Sequence, residues 1–213
     1  MGVVEQEVSA EASLVAPDRC AVVVVDVQND YCHDDGTFGR AGVELTAIQD
    51  AVERIVRFVD VARGAGVPVV WVRTEHDGWT NSPTWLTRDV RTRAEICATG
   101  SWGAEFFQVR PRPDECVITK HRYSAFVGSR FSVVLRTLAR PTLLLAGITT
   151  NVCVESTARD AFMRDYQVVL VEDCAAARTK AEHDGAVHNV RTYFGRVLDS
   201  AAVAARWAAA SAA

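Results

Sequence analysis

Three side chains stand where apolar runs end, and their types suit nucleophilic chemistry at a carbonyl: Asp26, Lys120 and Cys153. Asp26 follows the run AVVVV (21–25). A carboxylate drawn toward an apolar interior loses several kcal/mol of hydration or shifts its pKa upward unless a partner stabilises it, so it either faces a loop, caps a helix or serves as a base. Lys120 closes CVITK (116–120). Alone, such a lysine snorkels to solvent; beside Asp26 it would keep the carboxylate ionised and depress a neighbouring thiol pKa. Cys153 lies in GITTNVCVESTARDAF (147–162), where Thr149, Thr150 or Asn151 can serve as N-cap. At a helix N-terminus the dipole favours a thiolate, and free backbone N–H groups can hold an oxyanion. Cys20, Cys116 and Cys174 sit in or beside strand-like runs and read as small core residues.

The elements that must position these groups are legible from periodicity. CAVVVVDV (20–27), VPVVWVRT (67–74), CVITK (116–120), TLLLAGI (142–148) and QVVLVED (167–173) are continuously apolar and rich in β-branched residues. Such runs are strands buried on both faces, as in a parallel sheet. GRVLD (195–199) is a shorter edge-strand candidate. Between them, residues 44–65 place Leu45, Ile48, Val52, Ile55, Val56 and Val59 at helical spacing, ending at Gly64 and Gly66. Residues 130–139, 151–165, 180–194 and AAVAARWAAA (201–210) also read as helices. The alternation predicts one doubly wound α/β domain over 19–213, preceded by a flexible tail over 1–18. In such a sheet ligands bind beyond the carboxyl ends of the strands, where all three candidates fall. The stretch 75–115, with Trp79, Trp85 and Trp102, reads as a binding loop.

Composition narrows the function classes. Of 213 residues 49% are hydrophobic and 23% charged, and the net charge of −4 comes without a basic block, which excludes an electrostatic nucleic-acid footprint. No apolar run reaches membrane-span length, and the N-terminus lacks secretory features, so the expected location is cytoplasmic. Six cysteines without a C-x-x-C pair are expected to be free thiols rather than disulfides or a zinc site. His33-Asp34-Asp35 and Glu75-His76-Asp77 read as solvated loops, and the glycine signatures of phosphate binding are missing. No metal and no cofactor are expected.

VVVDVQNDY (23–31), VITKHRYSAF (117–126) and AGITTNVCVESTARDAF (146–162) resemble, in order and spacing, the signature segments of the isochorismatase-like cysteine hydrolases, and the similarity extends over nearly the whole chain after residue 18. The resemblance implies a Rossmann-like three-layer sandwich with a six-stranded, mainly parallel sheet. It implies a triad of Asp26, Lys120 and Cys153, and a cis peptide between Ile148 and Thr149 that turns the Thr149 N–H toward the site to form an oxyanion hole with that of Cys153. It also implies substrate contacts from Tyr31 and Tyr123, and a homodimer or homotetramer. True isochorismatases lack the cysteine. Nicotinamidases carry an Asp-x-His metal motif where this chain reads FGRAGVELTAI (38–48). TKHRYSAF, GSWGAEF (100–106) and TNVCVESTARD are similar to ureidoacrylate and biuret amidohydrolases, although biuret hydrolases have a lysine at the place of Tyr123, and RTEHDGW (73–79) departs from the Asn and Trp contacts of ureidoacrylate hydrolases.

The expected reaction is amidohydrolysis of a small linear amide or ureide through a thioester. The expected pocket is made by Tyr31, Thr74, His76, Trp102, Tyr123 and Ile148, with Arg73 or His76 meeting a substrate carboxylate. Metal-free hydrolysis of N-carbamoyl amino acids, maleamate or nicotinamide-like amides is the second enzymatic reading. A silent metabolite- or partner-binding pseudo-hydrolase is the non-enzymatic one.

Overall fold

The β-branched runs form strands and the amphipathic runs cover them. The computed structural model describes residues 13–87 and 96–211. In chain order the elements are β1 (Cys20–Val25), short helices α1 (Asn29–Cys32) and α2 (Thr37–Arg40), the long helix α3 (Thr46–Gly64), β2 (Val69–Thr74), α4 (Pro83–Thr87), and β3 (Cys116–Lys120). There follow α5 (Phe131–Leu138), β4 (Thr142–Ile148), a π-helical turn (Thr150–Val154) that runs into α6 (Glu155–Phe162), and β5 (Gln167–Ala176). The chain ends with α7 (Lys180–Asn189) and a second π turn (Val190–Phe194), the edge strand β6 (Arg196–Leu198), and α8 (Ser200–Ser211).

The strand order is β3-β2-β1-β4-β5-β6, and every pairing is parallel rather than mainly so. Alternate residues of β1 feed opposite layers. Val22 and Val24 pack with Ile48, Val52 and Ile55 of α3 and with Val203 and Trp207 of α8. Ala21, Val23 and Val25 pack with Phe131 and Leu135 of α5, Ala158 and Ala161 of α6, and Val187 of α7. Each fully buried Val, Leu or Ile side chain contributes about 1.5–3 kcal/mol as an upper estimate. Between β1 and β4 the winding reverses, and there the crevice at the carboxyl edge opens.

Gly147 makes that crevice possible. Its φ is +127°, and a Cβ there would lie 2.0 Å from the Val25 carbonyl oxygen. Only glycine lets β4 approach β1 so closely just before the turn that carries Cys153.

Several boundaries differ from expectation, and β5 runs on to Ala176, past its expected end at 173. The helix expected over 151–165 begins as a π turn, and the one over 180–194 ends as one. The tail boundary moves inward: Val15 is fully buried, and its carbonyl accepts a hydrogen bond from Trp207 Nε1 at 2.7 Å. Val15 is therefore held by the C-terminal helix, whose tryptophan also stacks on Phe58 at 5.4 Å. Residues 1–12 lie outside the described residues.

Candidate active site

Asp26, Lys120 and Cys153 meet at the reversal point. Asp26 is the residue after β1 and adopts the left-handed conformation (φ 54°), which aspartate tolerates better than most side chains. Its carboxylate is fully buried. Lys120 ends β3, two strands away, and its side chain reaches across the end of β2. Thr74 ends β2 directly between them, paired in register with Lys120. The Lys120 ammonium lies 2.8 Å from Asp26 Oδ2, and it donates to Thr74 Oγ1 at 2.6 Å and to Cys153 Sγ at 3.4 Å. Two of its protons thus have hydrogen-bond partners, and the ammonium is ion-paired with Asp26. Thr74 Oγ1 in turn donates to Asp26 Oδ1 at 3.0 Å. Asp26 Oδ2 accepts no aligned hydrogen bond among the described residues, which leaves a lone pair for the thiol proton.

Burial is the largest influence on the Cys153 thiol. It pushes the Cys153 thiol well up, and the Asp26 carboxylate pushes it further, against the smaller opposing pull of Lys120. The expected lowering of the thiol by Lys120 is present, but burial and the Asp26 charge outweigh it. Burial alone would lower Lys120, but the Asp26 charge and the Cys153 sulfur outweigh it and hold the ammonium above its ordinary value. Lys120 therefore stays charged through the neutral range.

The turn holding Cys153 is fixed from several sides. Thr149 occupies the cap position with extended backbone but without a side-chain cap, and the Ile148–Thr149 bond is cis. Thr150 Oγ1 is 2.9 Å from His183 Nδ1 on α7, and Asn189 of the same helix donates to Glu155 Oε1 at 3.0 Å. Thr157 Oγ1 donates to the Cys153 carbonyl at 2.8 Å and accepts from the Ala125 N–H at 3.1 Å. Gln28, two residues past Asp26, closes a buried clamp: Oε1 accepts from the Thr74 N–H, and Nε2 donates to the carbonyls of Thr74 and Ala104, all at 2.8 Å.

A cavity of about 300 Å³ opens onto Cys153. Tyr31, Thr74, Tyr123 and Ile148 line it as expected, together with Thr149. Two expected residues do not. Trp102 is 45% exposed and packs edge-on against His33 at 5.0 Å, while its carbonyl accepts from the Asn29 side-chain amide at 2.8 Å. His76 is buried behind Trp85, ring to ring at 4.4 Å, with its backbone paired to Cys97 and Thr99. Trp85, on α4, takes the wall expected of Trp102. Arg73 is turned to Glu75, 2.8 Å away. The charged group on the cavity wall among the described residues is instead Arg178, two residues beyond β5 and partly held by Glu182 at 3.2 Å. Phe38, Ile96 and Val152 complete the wall. Strand order could have suggested Arg178, since β5 borders β4 at the carboxyl edge, but spacing alone offers no sign of that adjacency.

An isochorismatase domain profile matches residues 20–202. The chain belongs to the isochorismatase family. Among its relatives, the ureidoacrylate amidohydrolase RutB of Methylobacterium radiotolerans is 36% identical over 202 residues, covering 87% of this chain and 78% of that protein. A cysteine hydrolase from Pseudomonas syringae pv. phaseolicola superposes with a TM-score of 0.81 at 28% identity, covering 91% of this chain and 94% of that one. The N-carbamoylsarcosine amidase of Thermoplasma acidophilum gives 0.70 at 29% identity, covering 85% and 96%. As an isochorismatase-family member the chain has the expected Rossmann-like three-layer fold, and its crevice lies where that fold places ligands.

Proposed function

We propose that this protein is a cysteine amidohydrolase that cleaves a C–N bond of a small ureido acid. The observation that carries the reading is the buried Asp26–Lys120–Cys153 cluster opening onto an aromatic cavity with Arg178 on its wall. The names of the relatives, an amidohydrolase of a ureido acid and an amidase of a carbamoyl amino acid, support it.

As substrate fills the cavity, Asp26 takes the Cys153 proton and the sulfur attacks the carbonyl. Burial disfavours a free thiolate at Cys153, which gives the adjoining carboxylate its role as base. The Thr149 and Cys153 N–H groups stabilise the oxyanion. Protonated Asp26 then donates to the leaving ammonia or amine, and next activates water against the S-acyl intermediate, which for a ureide is a thiocarbamate. Lys120 remains a cation throughout and holds carboxylate and sulfur in register. The Arg178 guanidinium anchors the substrate carboxylate, and Tyr31, Trp85 and Tyr123 favour a flat body by stacking. The wall lacks an acidic group among the described residues, which favours an anionic substrate over neutral biuret.

The test is a panel assayed for ammonia release and for substrate loss: ureidoacrylate, N-carbamoyl amino acids, biuret, maleamate and nicotinamide. Ureido acids are expected first and nicotinamide last. A higher kcat/KM on nicotinamide than on any ureide would refute the pocket reading. We further propose a cytoplasmic homodimer or homotetramer. The six cysteines, none paired, support a reducing compartment. Among the described residues no helix is long and apolar enough to cross a membrane. The exposed Phe162, Met163 and Tyr193 support self-association.

A further inference from the structure

Asp30 is a buried carboxylate that the chemistry above does not use. It is 4% exposed and lies on α1, four residues past Asp26. Its Oδ1 accepts from the Thr37 N–H at 3.0 Å and from Thr37 Oγ1 at 2.7 Å, while its Oδ2 accepts from the Cys97 N–H at 2.6 Å. Gly103 leaves it room, since a Cβ there would lie 2.2 Å from Oδ2. Cys97 itself is held at φ 52°, a conformation uncommon for a non-glycine residue.

The sequence positions of these partners carry the argument. Tyr31 follows Asp30, Phe38 follows Thr37, and Ile96 precedes Cys97; all three line the catalytic cavity. Two neighbouring segments and a third 67 residues away from Asp30 each present a cavity-lining side chain one residue away from an atom fixed by, or belonging to, a single carboxylate. A merely structural carboxylate would have no reason to bind only the neighbours of pocket residues.

We infer that Asp30 is a positioning residue for substrate specificity: it fixes the wall made by Tyr31, Phe38 and Ile96 against the reacting sulfur without touching substrate. Charge-assisted bonds to N–H groups are short and directional, so one buried carboxylate can hold three backbone segments to the tolerance a snug pocket needs. The inference rests on the cavity being the substrate site, as proposed above.

The test uses Asp30→Asn, Thr37→Val and Thr37→Ser in the full chain. Each is assayed for KM and kcat on the best ureido acid, and for the Cys153 alkylation rate with iodoacetamide and with the bulkier N-phenylmaleimide. Asp30→Asn turns an amide toward at least one donor, so KM is expected to rise about tenfold while kcat stays within about threefold. Iodoacetamide should react as with wild type, and the bulky reagent should gain about fivefold relative to it. Thr37→Val, which loses only the hydroxyl bond, should shift KM in the same direction by less, and Thr37→Ser should restore it. Should Asp30→Asn fail to fold, the Thr37 pair decides alone. The inference is overturned if Thr37→Val and Thr37→Ser match in KM and reagent selectivity, or if Asp30→Asn lowers kcat with KM unchanged. The reagent ratio is read without turnover, so it tests Asp30 even if no ureide is hydrolysed. A wild type that hydrolyses no ureide sinks the functional reading by itself.

Discussion

At the residue scale the site is an ion pair with a thiol placed against it, and the signs of the interactions dictate what substitution does. Cys153→Ala removes the nucleophile and should lower kcat by about a thousandfold or more with the fold intact, while Cys116→Ala leaves turnover near wild type; parallel rates and circular dichroism check this. Asp26→Asn should also abolish turnover, and because it removes the base that takes the thiol proton, iodoacetamide should react more slowly with Cys153 near neutral pH. Unchanged alkylation would show that Asp26 is not coupled to the thiol. Arg178→Gln tests the anchor. KM for a ureido acid should rise about ten- to a hundredfold, whereas a neutral ureide such as biuret should change less than about threefold. Equal losses on both substrates would assign Arg178 to structure rather than to recognition.

At the element scale, strands and helices do their work through where they stop. β2 and β3 end at Thr74 and Lys120, and Asp26 follows β1 directly, so the all-parallel register brings the three side chains to one edge. This much was legible in the sequence, because uninterrupted Val-rich runs ending in a charge can be read without coordinates. The π turn under Cys153 was not legible, since the contact that ties it to the rest of the fold, Thr150 with His183, is long-range and leaves no mark in residue spacing. The exchange of Trp102 for Trp85 was not legible either: both lie in one irregular stretch, and only long-range pairing such as Asn29 with Trp102 and His76 with Cys97 sorts them. Gly147→Ala should be among the most damaging single-methyl changes in the sheet. The added Cβ meets Val25 backbone, which cannot yield as a side chain can. Stability should fall by about 3 kcal/mol, read as a shift of the urea midpoint. A change below about 0.5 kcal/mol would mean that β1 and β4 separate freely.

At the scale of the whole molecule, the two edges of the sheet divide chemistry from stability. At the amino edge, Glu115 accepts hydrogen bonds from Arg63 at 2.7 Å, Trp71 Nε1 at 2.7 Å and the Arg112 N–H at 2.8 Å. Desolvation raises its carboxyl, but these bonds outweigh it and hold the group at about 2, against 4.5 when unpaired. A depressed carboxylate stabilises the fold above its unfolded value, and that contribution fades as pH falls from about 4.5 toward 2. Wild type should lose up to about 3 kcal/mol more than Glu115→Gln across that window, measured as the difference between their urea midpoints at each pH. Identical slopes would remove Glu115 from the acid response. Self-association belongs to this scale too. Light scattering at micromolar concentration should give a dimer or tetramer mass, and a monomer would refute that proposal.

The central claim is that Cys153 carries the substrate's carbonyl portion during turnover. The direct measurement is acid quenching of wild-type protein in mid-reaction with the best ureido acid, followed by peptide mass mapping of all six cysteines. The account predicts an acyl increment confined to the peptide holding Cys153, present only while substrate remains. An increment on another cysteine, or steady turnover that persists in Cys153→Ala, would contradict it.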